Sequence, residues 1–233
     1  MNISALLNSI FNDREYLTKL GIAAGVTLLA ALLSPVLVGL AGWAILLGWQ
    51  ADLVRHVRRR DKYPLPRWNN IRRFLTPGAN ILVAYVIYNV PNILLGCGWA
   101  FVLSVSGGTQ FVGNTITIVS ACCLLPLIMI YNLFMVPVFA IGLARFGDDP
   151  RISTFFEFGV LYEALTTHFG QTLLFVGMML AANIVLGLLL IVPVLGWVLY
   201  AALIAPVTGI LQGQYGLLVL GSSRAKPAAK PLA

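Results

Sequence analysis

Tyr85, Asn89 and Asn92 recur at i, i+4 and i+7, so they share one face of a helix that Pro91 interrupts. Tyr131 and Asn132 lie in the next apolar run and Asn183 in a later one. Proline-broken helices with freed carbonyls and amide side chains build substrate sites in membrane transporters. Amides and phenols at such positions also hydrogen-bond one helix to the next, at about 0.6 kcal/mol each. Both readings stay open, and Tyr85, Asn89, Asn92 and Asn132 are the candidate residues of an intramembrane polar site.

Other reactive groups are sparse. No GxSxG, HExxH, phosphate-binding glycine loop or Cys/His metal spacing occurs, so no catalytic residue, metal or cofactor is expected. Cys97, Cys122 and Cys123 lie in apolar runs and read as small packing residues. His56 and His168 border charged segments and read as solvated interfacial side chains. Asp148, Asp149, Glu157 and Glu163 share one segment, where paired-carboxylate chemistry is conceivable. Asp148-Asp149 ahead of Pro150 reads better as a helix cap, with acidic groups at the positive end of the dipole. No Asp, Glu, Lys, Arg or His falls inside an expected span, which argues against a proton relay and against haem ligation deep in a bilayer.

These residues must be held by membrane helices. Of the 233 residues, 59% are hydrophobic and only 10% charged, where a soluble domain carries about 25%. The fifteen Lys and Arg fall in four groups: Arg14 and Lys19; the eight from Arg55 to Arg73; Arg145 and Arg151; Arg224, Lys226 and Lys230. Charge-free runs over 20–51, 74–144 and 164–223 separate them. If each run crosses the membrane twice, every basic group faces the cytoplasm, as the positive-inside rule requires. The net charge of +7 is then the signal for orientation, and no nucleic-acid partner is expected. The basic loops lie beside anionic lipid headgroups instead. Arg55, Arg58, Arg59, Arg60, Arg67, Trp68, Arg72 and Arg73 are the candidate contacts to headgroups or to a partner.

The predicted fold is an all-α integral membrane protein of about six transmembrane helices in three hairpins, with interfacial helices at the N-terminus and in the inner loops. Residues 1–19 place Ile3, Leu6, Leu7, Ile10, Phe11 and Leu17 at helical spacing and read as an interfacial amphipathic helix. The six-span domain covers 20–220, with a main cytoplasmic loop over 52–78, a second cytoplasmic segment over 145–170 and a disordered tail over 221–233. The first apolar run begins only at Leu20, after acidic as well as basic residues, and reads as a span instead of a cleaved leader. It has 32 residues where two spans need about 40. A hairpin turning at Pro35 therefore requires helices that run on to about Tyr16 and Val57. Ile71–Leu75 is expected to start a short surface helix that Pro77-Gly78 stops. The middle spans are expected over 79–104 and 114–144, joined by the polar loop SGGTQFVGN, and the last pair over 171–192 and 194–220. Phe155, Phe156, Phe158, Leu161, Tyr162, Leu165 and Phe169 form an aromatic stripe suited to an interfacial helix. Gly21/Gly25 and Gly209/Gly213 are GxxxG pairs that permit close helix approach.

A weak repeat relates LLSPVLVGLAGW (32–43) to LIVPVLGWVLY (190–200), each placing Pro-Val-Leu at an outer turn. A short hairpin with proline at its turn, then Gly48-Trp49, a basic VRHVRRR run, Leu65-Pro66-Arg67-Trp68 and Pro77-Gly78 resembles the domain-of-unknown-function 4013 family of bacterial and archaeal membrane proteins. That resemblance implies a polytopic membrane protein and brings no activity with it; the sorting of the basic groups puts both termini in the cytoplasm, and the expected location is the prokaryotic inner membrane. Family members tend to carry acidic residues after Leu-Pro-x-Trp; here those positions are Asn69 and Asn70. The functional expectation is a non-enzymatic scaffold or accessory subunit among other membrane protein subunits. The alternative is a transporter or channel for a small uncharged solute or lipid.

Overall fold

The structure, a computed structural model, describes residues 13, 15–36, 38–105 and 110–221. The surface helix expected over 1–19 and the tail over 221–233 lie, but for residues 13, 15–19 and 221, outside them. Among the described residues seven α-helices follow in order: α1 Tyr16–Leu33, α2 Gly39–Arg58, α3 Arg72–Val105, α4 Gln110–Phe146, α5 Phe158–Thr167, α6 Phe169–Leu189 and α7 Leu195–Leu220. Single 3-10 turns at Ser34–Val36 and Ile152–Phe155 join α1 to α2 and α4 to α5. Among the described residues five helices are long and apolar enough to cross a membrane: α1, α3, α4, α6 and α7. The sixth expected crossing, α2, carries Asp52, Arg55, His56 and Arg58 on its last two turns, and it completes the first of three hairpins.

The first hairpin extends as its residue count requires, to Tyr16 at one end and Arg58 at the other. The first and last hairpins close alike. Trp43 Nε1 donates to Ser34 Oγ at 3.0 Å, and Trp197 Nε1 donates to the Leu190 carbonyl at 3.3 Å. A Cβ on Gly39 would sit 2.4 Å from the Ala30 carbonyl oxygen, and one on Gly196 would sit 1.7 Å from that of Leu189. In each hairpin a glycine lets the return helix start against the outgoing one, and a Gly-Trp pair ties it back. The repeat read in the sequence is thus a repeated way of closing a turn.

The return helices α2, α4 and α7 all touch one another and form the centre of the bundle. Gly209 and Gly213 admit α2: a Cβ on either would press within 2.8 Å of Leu53 or 2.7 Å of Val57. Among the described residues nothing lies within 4 Å of a Cβ at Gly21 or Gly25, so of the two GxxxG pairs the second forms a crossing there. Gln50 Nε2 donates to Gln212 Oε1 at 2.7 Å, which satisfies a polar pair inside that crossing.

Three expectations are corrected. The helix α3 starts at Arg72 and runs through Pro77-Gly78. Proline in an early turn removes a single backbone bond, and the α2 backbone packed on Gly78 outweighs that local stop signal. A Cβ on Gly78 would lie 1.7 Å from the Ala44 carbonyl oxygen. The outer polar loop is shorter than read, because α4 already begins at Gln110. The aromatic stripe is split: Phe155 is buried in a 3-10 turn against Phe139 and Phe146, whereas Phe158, Tyr162 and Phe169 are exposed beside buried Leu161 and Leu165.

The middle hairpin is far longer than the others. Its helices have 34 and 37 residues, about 51 and 56 Å, against 18 to 26 residues, about 27 to 39 Å, in the flanking pairs. Every described buried residue of α3 lies between Phe74 and Tyr88, and every one of α4 between Pro137 and Phe146. Beyond those limits Leu94, Phe101, Met129 and Phe134 are exposed. Cys97, Cys122 and Cys123 are exposed there too, so they do not pack within the chain as expected.

Candidate functional site

The polar and charged groups gather in two places. The first is the meeting of α3 and α4 near Pro91. Asn92 and Asn132 exchange hydrogen bonds, with Asn92 Nδ2 donating to Asn132 Oδ1 at 3.2 Å and Asn132 Nδ2 returning to Asn92 Oδ1 at 3.3 Å. Asn92 Nδ2 also donates to Asn89 Oδ1 at 3.2 Å, and Asn89 Nδ2 to the Tyr85 carbonyl at 2.8 Å. Tyr131 donates its hydroxyl to the Tyr88 carbonyl at 2.6 Å, one residue from the Ile87 carbonyl that Pro91, lacking an amide hydrogen, leaves unserved. Tyr88 in turn donates to the Phe155 carbonyl. Asn89, Asn92 and Asn132 thus meet where the two helices face each other. The Tyr85 ring instead packs edge-on to Phe139 at 5.7 Å. The amides satisfy one another, which makes the cluster a polar seam between two helices. Asn132→Leu is expected to lower stability by about 1 kcal/mol or less, read as a small drop in melting temperature of the detergent-solubilised protein.

The second place is the basic end of the bundle. Leu65-Pro66-Arg67-Trp68 plugs the end of the first hairpin. Leu65 is buried, and its carbonyl accepts Lys19 Nζ at 3.0 Å. The Pro66 carbonyl accepts Trp49 Nε1 at 3.2 Å, and Trp68 Nε1 donates to the Lys19 carbonyl at 3.1 Å. Trp68 stacks on Trp49 at 5.4 Å with planes 9° apart, and meets Phe74 edge-on. The tryptophan read as a lipid or partner contact is therefore built into the protein's own plug. Lys19 Nζ also bonds Asp13 Oδ2 at 2.5 Å. Burial pushes the Asp13 carboxyl up, but the Lys19 bond, the Glu15 amide and the charges of Lys19 and Arg67 outweigh it and hold the carboxyl below its ordinary value. A carboxyl held low by the fold stabilises it above the unfolded value, about 3.9, and that contribution is lost as pH falls through the lowered one. Asp13→Asn is expected to lower the melting temperature at pH 7 and to flatten its fall below about pH 4, measured by thermal unfolding across pH.

Arg58 is the third element of this end, and the structure moves it out of the headgroup set. Only 2% exposed, it lies where the C-terminal ends of α2, α4 and α7 converge. Its Nη1 donates to the Ala144 carbonyl at 2.5 Å and to Asp148 Oδ2 at 2.8 Å, and its Nη2 to the Gly221 carbonyl at 3.2 Å. One cation thus serves the terminal carbonyls of two helices where their dipoles are negative. Asp148 faces Arg58 and Asp149 bonds Arg151 across the turn, and the Ile152–Phe155 turn has no side-chain cap, so the acidic pair is not the cap expected of it. Nothing in the sequence marked Arg58 as different from Arg59 except its place on the last turn of α2.

The other basic candidates divide. Arg73 pairs with Asp52. Arg60, Arg67 and Arg72 are exposed, with Arg67 3.9 Å from Glu15. Arg55 and Arg59 are half-buried, each with a buried Nε that has no hydrogen-bond partner. A cleft of about 470 Å³ opens between α2, the start of α3 and the turn after α4, lined by Ala51, Asp52, Arg55, Arg73, Phe74 and Asp148 among others. Among the described residues no group of three or more His, Cys, Asp or Glu is gathered to hold a metal.

The profile of a family described as "Protein of unknown function (DUF4013)" matches residues 28–195. No curated protein and no solved structure matches the chain.

Proposed function

The chain belongs to the DUF4013 family, and from that premise we propose that it is a non-enzymatic integral membrane scaffold or accessory subunit of a larger membrane complex. The observation that carries this reading is the half-packed middle hairpin. The basic halves of α3 and α4 are held by α2, α7 and the Phe155 turn, and among the described residues their outer halves hold no buried residue. That leaves two long apolar flanks available to other subunits within the bilayer, where helix packing and not hydrophobic transfer drives association. The paired amides of Asn89, Asn92 and Asn132 support the same reading, since their polar groups are spent on each other. The one-sided basic residues support an orientation with both termini in the cytoplasm of a prokaryotic cell, beside anionic headgroups.

The test is mild solubilisation of native membranes, separation by size and mass spectrometry of whatever migrates with this chain. Stoichiometric partner subunits are the expected result. Migration of the chain alone, in every mild detergent tried, would overturn the proposal. It would turn attention to solute flux, which Leu at both Asn89 and Asn132 should then abolish without unfolding the protein.

A further inference from the structure

We infer that the cleft between α2, α3 and the turn after α4 binds a phosphate group, most simply the phosphodiester of an anionic phospholipid, with Arg55 as its principal ligand. The inference rests on the charge arrangement within the cleft and is independent of the scaffold reading. Four ionic side chains line it: Asp52, Arg55, Arg73 and Asp148. Both carboxylates are already engaged by other cations, Asp52 by Arg73 and Asp148 by Arg58. Arg55 is left over. Its Nε is buried without a hydrogen-bond partner, and among the described residues no carboxylate pairs with its guanidinium. A half-buried guanidinium without an acceptor is expensive to keep unless something supplies one.

The shape fits a headgroup. The volume of about 470 Å³ is within the range of small-molecule sites, roughly 300–1,000 Å³. The inner wall is apolar, formed by Ala51, Phe74, Pro77 and Phe146. Gly147 forms the wall beside Arg55, where a Cβ would stand 3.5 Å from the Arg55 Cβ, in ordinary contact. The cleft opens where the apolar run of α3 begins, and Leu75 and Val83 are exposed along that helix for an acyl chain to follow. An arginine fork matches two phosphate oxygens at once, which a lysine cannot do. With the two carboxylates neutralised by their own partners, the net charge left to the site is that of Arg55, which suits a phosphodiester with its single negative charge.

Thermal unfolding of the full chain in a neutral detergent tests this, with short-chain phosphatidylglycerol and inorganic phosphate titrated separately. Wild-type protein should gain melting temperature saturably with phosphatidylglycerol, and Arg55→Gln should weaken the apparent affinity about tenfold or more, the loss of at least one of the fork's charge-assisted bonds. Lys62→Gln removes the same charge outside the cleft and should leave the affinity unchanged. Equal, Arg55-dependent stabilisation by inorganic phosphate would keep the site and make its ligand a free phosphate. If Arg55→Gln does not fold, the wild-type titrations decide alone: no saturable stabilisation by either probe overturns the site. So does an Arg55→Gln protein that binds as wild type does.

Discussion

Gly78→Ala is expected to break the α2–α3 crossing and cost the protein at least about 3 kcal/mol, at the upper end of what overpacking does. The added methyl would sit 1.7 Å from the Ala44 carbonyl oxygen and 2.9 Å from the Gly48 amide nitrogen. Those are backbone atoms in the middle of a helix, so no side chain can swing aside and the helices must part. The crossing is reciprocal: a methyl on Gly48 would lie 2.0 Å from the Phe74 carbonyl oxygen, and Gly48→Ala should fail in the same way. Gly96→Ala and Gly98→Ala are the matched controls. They lie further along α3 with nothing within 4 Å, and should be neutral or slightly stabilising. Melting temperatures of the four purified variants in one detergent decide it. Equal behaviour at all four positions would refute the backbone contact.

Arg58→Met carries the second large effect, about 3 kcal/mol. Removing the guanidinium strands the Ala144 and Gly221 carbonyls at the ends of α4 and α7 and takes the Arg58 bond from Asp148. Asp148 can recover water, because it is exposed, so the loss falls short of that for a wholly buried pair. Arg58→Lys should recover only part of the loss, since a single ammonium cannot span three acceptors with the geometry of a planar fork. The readout is again thermal unfolding, with Arg59→Met as the neighbour that lacks these bonds. Equal losses at 58 and 59 would refute the special place of Arg58.

Much of this architecture can be read from the chain. The charge-free runs locate the hairpins, and the shortage of residues in the first run locates its helix ends at Tyr16 and close to Arg58. The Gly-Trp repeat is readable too, because a turn is a local structure and its glycine answers a local steric need. The i, i+4, i+7 face of Asn89 and Asn92 is equally local, and Asn132 joins them across the helix pair. What escapes the sequence depends on a distant partner. Arg58, Arg59 and Arg60 look alike as topogenic charges, and only the convergence of α4 and α7 separates the first from the others. Trp68 satisfies every expectation for an interfacial anchor, but Trp49 takes its face before lipid can. Tyr85 shares the asparagine face by spacing and leaves it for Phe139. Pro77-Gly78 is a stop signal by local rules, overruled by a backbone contact that no periodicity encodes.

The unequal hairpins bear on the bilayer itself. A hydrocarbon layer about 30 Å thick suits helices of about 20 residues, and α1, α2 and α6 have 18, 20 and 21. The apolar stretch of α3 runs to 30 residues, about 45 Å, in the same molecule. No single lipid thickness matches both, so α3 leans, kinks, runs past the hydrocarbon or draws thicker lipid around it. The protein then presents lipids with a rim of uneven height, and membranes of different thickness would tilt its middle hairpin by different amounts.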